Sequence, residues 1–191
     1  MSVYPFGWVG IQLVLVLAGT LALLVVSRPC LKDPRCHGFY RFFAWTAILI
    51  EAVLNLPAWF KDALAWHQLI SWFLLCTSVI PALWAGILFR KEGGSRSREE
   101  GSGNYAFENT GRLITSGIYK YIRHPMYASL LYLLWGIFFK VPNVLNGIIS
   151  LVGSIFLLVT AAVEERENLH TFGDPYRKYM KLSRRFIPWV F

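Results

Sequence analysis

Residues 141–163, VPNVLNGIISLVGSIFLLVTAAV, form an apolar stretch without a charged side chain. An α-helix rises about 1.5 Å per residue, so this stretch is long enough to cross a hydrocarbon core about 30 Å thick. Three further stretches, 7–26, 42–60 and 63–89, have the same character, and Glu51 is the one charged residue among them. We therefore expect an all-α, polytopic integral membrane helical bundle.

The composition excludes several other classes of protein. Hydrophobic residues make up 55% of the chain and charged residues only 16%, which is too apolar for a soluble enzyme or a disordered chain. The three cysteines, Cys30, Cys36 and Cys76, are odd in number and contain no C-x-x-C pair. We therefore predict neither a disulfide framework nor a zinc site, and no bound metal.

A fifth apolar segment is unusually short. Pro125 suits the first turn of a helix, where its missing N–H is not needed, and the apolar residues end near Phe139. A helix of this length reaches only about 21 Å, less than the hydrocarbon thickness. Either the bilayer thins there or the helix begins below the headgroups, which would draw Arg123, His124 and Tyr127 to the lipid interface. We expect five transmembrane helices.

The basic residues indicate the orientation of these spans. Seventeen of the nineteen fall on one side of a five-span arrangement, and only Lys61 and Lys140 fall on the other. By the positive-inside rule, we expect the N-terminus outside and the C-terminus in the cytoplasm. The net charge of +8 is then a topology signal that also suits anionic headgroups, so the predicted partner is the lipid bilayer and not nucleic acid.

We expect a single membrane domain over residues 1–191. Three N-terminal spans occupy 1–89, and a polar stretch rich in Gly and Ser begins a cytoplasmic loop over 90–123. Residues 124–191 then supply a helical hairpin and an amphipathic C-terminal helix that is expected to lie on the membrane surface.

Polar, reactive side chains concentrate in two segments that flank this hairpin. The first is GIYKYIRHPMY at 117–127, and the second contains EE at 164–165 and FGDPYRKY at 172–179. In this order, the motifs resemble the isoprenylcysteine carboxyl methyltransferase family, with phospholipid N-methyltransferases and thiol methyltransferases as relatives. The resemblance covers about 113–188, and the first three spans carry no matching motif.

The resemblance implies a membrane enzyme that binds S-adenosylmethionine outside a Rossmann fold, in a pocket formed by the last two spans and their cytoplasmic flanks, with S-adenosylhomocysteine as product. The residue types agree, since a carboxylate is bound by Arg or His and a sulfonium rests on an aromatic face. The alternative is an interfacial belt of basic and aromatic side chains. The expected cofactor-binding residues are Thr115, Gly117, Tyr119, Arg123, His124, Pro125, Tyr127 and Glu165.

Helical spacing places the two adjacent glutamates on different faces of the helix. Glu164 falls on a face that looks solvated, whereas Glu165 shares a face with apolar residues and needs a partner there, either Arg123, Arg185 or the cofactor's amino group. Glu165 is the expected catalytic residue, although an ion pair that only orders the helix end is an equal alternative. The family often shows a basic residue near the position of Thr160, and Arg166 is the suggested catalytic substitute.

The first functional hypothesis is O-methylation of the C-terminal carboxylate of a prenylated cysteine, at an active site on the cytoplasmic side. The membrane would be the plasma membrane of a prokaryote or the endoplasmic reticulum of a eukaryote. A carboxylate acceptor needs no base, whereas an amine would need one, from Glu165 or His124. Phospholipid N-methylation and thiol S-methylation are the alternatives within the class. The alternatives outside the class of methyltransferases are a small transporter lined by Glu51 and Asn55 and a non-catalytic adaptor. The sequence does not determine the oligomeric state.

Overall fold

The computed structural model describes residues 6–93 and 112–187, and these fold almost entirely as helices. Within these two ranges no strand forms, and a single isolated bridge joins Ile122 and Arg184. Three short 3-10 helices connect the longer helices, at Cys30–Lys32, Leu56–Ala58 and Gly117–Lys120. The helices are α1 Phe6–Ser27, α2 His37–Asn55, α3 Trp66–Glu92, α4 Pro125–Phe138, α5 Val144–Phe172 and α6 Asp174–Leu182.

In the part of the chain that the structure describes, four helices are long and apolar enough to cross a membrane. They cover Trp8–Ser27, His37–Ala58, Trp66–Glu92 and Val144–Phe172, and α4 is a shorter apolar helix of 14 residues. The all-helical fold is therefore confirmed, while the fifth span and the orientation of the termini stay predictions. The predicted cytoplasmic loop 90–123 falls in part on residues 94–111, which lie outside the described residues.

Helices α2, α4 and α5 each pack against several other helices. The largest helix interfaces are those of α3 with α4 and of α2 with α5, whereas α1 packs mainly on α2. Gly153 on α5 makes close packing possible, because a Cβ there would lie 2.8 Å from the Leu134 side chain and 3.2 Å from that of Ala47. Small residues at such crossings let helix backbones approach one another in a membrane.

Buried polar contacts join α2 to α5. Glu51 is completely buried, and its carboxylate accepts hydrogen bonds from the Ser150 hydroxyl at 2.8 and 3.0 Å. One turn later, the Asn146 amide donates to the Asn55 side-chain oxygen at 2.9 Å. These contacts favour the role of a helix–helix contact for Glu51 and Asn55, and they occupy the polar atoms that a transport path would need.

We expect Glu51→Gln to retain the fold and cofactor binding. The amide oxygen still accepts from Ser150, and hydrogen bonds between membrane helices contribute only about 0.6 kcal/mol on average. Thermal unfolding in detergent should stay close to wild type, with Ser150→Ala as the matched change on the partner helix. A large loss of cofactor binding in a folded Glu51→Gln protein would contradict this structural role.

Lys140 fixes the hairpin between α4 and α5. Its ammonium lies 3.6 Å from the centre of the Trp72 ring and 3.0 Å from the Gln68 side-chain oxygen, and the residue is 1% exposed. At the start of α5, the Asn143 side chain accepts from the Asn146 N–H at 2.9 Å, as an N-cap does. The hairpin thus fixes the end of α4 against the start of α5, at the opposite end of these helices from Pro125 and Phe172.

Candidate active site

The C-terminal tail, residues 183–187, lies along the segment that leads into α4. The backbone N–H of Arg123 donates to the carbonyl of Arg184 at 2.7 Å, and that of His124 donates to the carbonyl of Arg185 at 3.0 Å. This short pairing sets the R-H-P-x-Y motif against the tail, although α5 and α6 lie between them in the sequence.

Glycine is required in the turn before α4. Gly117 has a φ of +54°, a conformation that favours glycine. A Cβ there would also lie 2.7 Å from the Leu88 side chain and 3.0 Å from Trp84 Nε1, both on α3. The absence of a side chain therefore lets the 3-10 helix Gly117–Lys120 pack on α3 and bring Tyr119 into the site.

Glu165 is buried on the inner face of α5 and is surrounded by basic groups. Its carboxylate accepts from Arg123 Nε at 2.8 Å, from the Arg185 guanidinium at 2.7 to 3.2 Å, and lies 3.4 Å from His124 Nε2. Hydrogen bonding to Glu165 raises the pKa of Arg185. The helical spacing predicted this packed face, and both expected arginines contact the carboxylate.

Arg123 connects three segments of the chain. Besides Glu165 on α5, its guanidinium donates to the carbonyl of Met180 on α6 at 3.1 Å and to the carbonyl of Ser183 in the tail. A parallel link is made by Tyr179, whose hydroxyl donates to the Tyr119 carbonyl at 2.7 Å. The site is thus assembled by contacts to backbone carbonyls that close the C-terminal part of the chain over the start of α4.

Glu164 faces a cleft beside this network. The Tyr127 hydroxyl donates to the Glu164 carboxylate at 2.5 Å, and His124 Nδ1 lies 3.8 Å from the same carboxylate. The His124 and Tyr127 rings stack at 5.5 Å between centroids with an interplanar angle of 15°. The expectation that Glu164 is simply solvated is therefore corrected, because its side chain is 29% exposed and holds Tyr127.

The cleft encloses about 160 Å³ between α2, α3, the start of α4 and α5. Glu165 does not line it but lies behind Arg123 and His124. Four lining residues come from helices for which the sequence offered no motif, namely Arg41, Trp45, Ala82 and Phe89. Of the cofactor-binding residues expected from the sequence, those that line the cleft are Tyr119, Arg123, His124, Pro125 and Tyr127.

Two expected residues lie away from the cleft. Thr115 is exposed, and so is Arg166, which follows Glu165 and is therefore rotated by about 100° to the outer face of α5. Arg166 cannot replace a basic residue at position 160 from there. Thr160 is itself buried, and its hydroxyl donates to the Phe156 carbonyl at 2.6 Å. The basic residue from outside the motifs that does reach the cleft is Arg41.

Three buried tyrosines around the site stay neutral at physiological pH. Burial raises the pKa of Tyr119, Tyr176 and Tyr179 above the ordinary value of a tyrosine. Their rings are therefore available as uncharged aromatic faces and their hydroxyls as hydrogen-bond donors. Among these three, Tyr119 is the one that lines the cleft.

An apolar groove of about 480 Å³ lies on the other side of α4. It is bounded by α3, α4, α5 and the tail, and its walls are almost entirely hydrophobic. Its polar group Ser154 already accepts a hydrogen bond from Trp135 Nε1 at 3.1 Å. Phe186 lines this groove and also packs against the His124 ring at 6.0 Å between centroids, so the groove and the cleft adjoin.

Comparison with known proteins finds matches over the C-terminal half. Residues 98–174 match the model of the phospholipid methyltransferase family, which is less than half of the chain. Methanethiol S-methyltransferase 1 of Bradyrhizobium diazoefficiens is 34% identical over 80 residues, which are 41% of this chain and 27% of that protein. Methanethiol S-methyltransferase of Pseudomonas deceptionensis is 31% identical over 80 residues, 41% of this chain and 29% of that protein. The chain thus matches under a third of the length of these curated relatives. No solved structure matches significantly.

Proposed function

We propose that the chain is an S-adenosylmethionine-dependent membrane methyltransferase, because residues 98–174 match the model of the phospholipid methyltransferase family, to which the isoprenylcysteine enzymes are related. The observation that carries the proposal is the cleft, where cationic, aromatic and anionic side chains converge at one end of the bundle. The proposed site lies on the cytoplasmic side, where most basic residues of the sequence are expected.

The side chains of the cleft fit the groups of this cofactor. Arg41, Arg123 and His124 are suited to its carboxylate, and the faces of Tyr119 and Tyr127 are suited to its sulfonium. The enclosed volume of about 160 Å³ is smaller than the ~300–1,000 Å³ of typical ligand pockets, so only one end of such a molecule fits within it as it stands. S-adenosylmethionine would supply an electrophilic methyl group there.

We propose a thiol as the acceptor of that methyl group. Two relatives are named as methanethiol S-methyltransferases. A thiol must lose its proton before it attacks, because its ordinary pKa is about 8.5. Glu164 and His124 border the cleft and are placed to accept that proton.

A prenylated cysteine carboxylate is the second candidate acceptor, and the apolar groove is the observation that favours it. A groove of about 480 Å³ between helices that face lipid can receive an apolar chain, and its end at Phe186 adjoins the cleft. A carboxylate needs no base, so orientation and removal of water would be the main contributions of the protein. Phosphatidylethanolamine is the corresponding amine acceptor.

We expect purified protein to transfer the tritiated methyl group of S-adenosylmethionine to methanethiol and release volatile dimethyl sulfide. Matched reactions contain a farnesylcysteine analogue, read as base-labile methyl ester, or phosphatidylethanolamine, read as labelled lipid. Label in the ester alone would select the second candidate. Folded, cofactor-binding protein that labels none of the three acceptors would contradict methyl transfer to these substrate classes.

A further inference from the structure

A second cluster of reactive side chains lies away from the cleft, where α2 begins against the end of α5. The ligand atoms of Cys36, His37 and Glu167 lie within 4.8 Å of one another. His37 Nδ1 is 2.6 Å from one carboxylate oxygen of Glu167, and the His37 backbone N–H donates to the other oxygen at 2.8 Å. Residues 130 positions apart in the sequence are therefore held together at one point.

A second thiol adjoins this cluster. Cys30 is 2% exposed, and its thiol is hydrogen-bonded with that of Cys36. Gly38 leaves room for this sulfur, because a Cβ at that position would overlap Cys30 Sγ. The chain thus brings one sulfur, one imidazole nitrogen and one carboxylate to the same place, and the sulfur of Cys30 lies beside that of Cys36.

We propose that Cys30, Cys36, His37 and Glu167 form a zinc site. Zinc prefers four ligands of these types in a tetrahedral arrangement, with sulfur at about 2.3 Å and nitrogen or oxygen at about 2.0–2.2 Å. Calcium and magnesium prefer oxygen ligands alone, so the thiols disfavour them. The ion would displace the hydrogen now shared by His37 and Glu167 and the protons of both thiols, all of which pass to solvent. Cys36, His37 and Glu167 would close in on the ion, and Cys30 would turn toward it from beside Cys36.

The position suggests a structural role for the ion. Glu167 follows Glu165 by two residues on α5, and the two cysteines flank the turn before α2. An ion bound there would tie the first connection of the N-terminal half to the helix that carries the methyltransferase motifs. The Glu167 side chain is 34% exposed, which provides a path for the ion from solvent.

A disulfide between Cys30 and Cys36 is the alternative to metal binding by these thiols. Because the basic residues predict this connection on the cytoplasmic side, the thiols are expected to stay reduced and available as ligands. Sequence spacing could not reveal the site, since the cysteines form no C-x-x-C pair and the other two ligands are distant in the chain.

The test is metal binding by the full chain, purified in detergent under a non-thiol reductant and dialysed against Zn²⁺ or Co²⁺. We expect one equivalent of zinc by elemental analysis, and with cobalt the strong thiolate charge-transfer absorption of a four-coordinate site. Cys36→Ser and Glu167→Gln should each weaken binding by more than about 100-fold, which exceeds the cost of losing an outer partner. Cys76→Ser, an exposed cysteine of α3, is the matched control and should bind as wild type.

Three results would overturn the proposal. They are binding well below one equivalent, binding that survives Cys36→Ser and Glu167→Gln alike, and a Cys30–Cys36 disulfide in protein isolated without reductant that excludes metal even after reduction. Cys30→Ser should lower the intensity of the thiolate band, and an unchanged band would remove Cys30 from the site. Binding of S-adenosylhomocysteine by the same preparations reports separately on the proposed function.

Discussion

Glu165→Gln should abolish cofactor binding and strongly destabilise the protein. The substitution keeps the shape of the side chain but leaves Arg123 and Arg185 without their shared counter-charge. Removing one partner of a buried ion pair costs about 3–5 kcal/mol, and Glu165 is 3% exposed. Thermal unfolding in detergent and titration with S-adenosylhomocysteine measure the two effects.

Glu164→Gln removes the neighbouring charge, so comparing it with Glu165→Gln shows whether the effect depends on which glutamate is changed. Its amide oxygen still accepts from the Tyr127 hydroxyl, and its side chain is 29% exposed at the border of the cleft. We expect a protein of nearly wild-type stability with a moderate loss of turnover. Equal and mild effects of both substitutions would mean that the Glu165 network does not hold the site together.

Arg123→Lys should reduce cofactor binding about as strongly as Glu165→Gln. A lysine cannot donate simultaneously to Glu165, the Met180 carbonyl and the Ser183 carbonyl, because its ammonium lacks the planar fork of the guanidinium. The tail should then detach from the start of α4, seen as faster amide exchange at Arg123 and His124. Binding of S-adenosylhomocysteine should fall with it.

The matched control for Arg123→Lys is Arg177→Lys on the exposed side of α6. Its binding of S-adenosylhomocysteine should stay within about twofold of wild type. Arg166→Lys tests the hypothesis drawn from the sequence, because Arg166 is exposed on the outer face of α5. Two results would contradict these contacts. They are slow amide exchange at Arg123 and His124 in Arg123→Lys, and a large loss of S-adenosylhomocysteine binding in Arg166→Lys.

The predictions that agree with the structure were based on the spacing of residues along single helices. Helical spacing placed Glu165 on the packed side of α5, and Pro125 marked the start of α4, because both follow from local backbone geometry. The motif order likewise pointed to the family whose model residues 98–174 match, because the motifs can be recognised without knowing how the helices pack.

The rest depends on how helices meet, which local patterns do not encode. Arg41 reaches the cleft because α2 packs on α5, and Cys36 meets Glu167 for the same reason. Adjacency in sequence misled the hypothesis for Arg166, because neighbouring residues on a helix point in different directions. The fifth span and the orientation stay predictions, because they depend on the bilayer as well as the chain.

Calorimetric titration of detergent-purified protein with S-adenosylhomocysteine, beside His124→Ala, tests most directly whether the cleft binds the cofactor. We expect saturable binding at one site, weakened at least tenfold in a variant that remains folded and monodisperse. Absence of binding in folded wild-type protein, or equal binding by the variant, would contradict the assignment of the cleft.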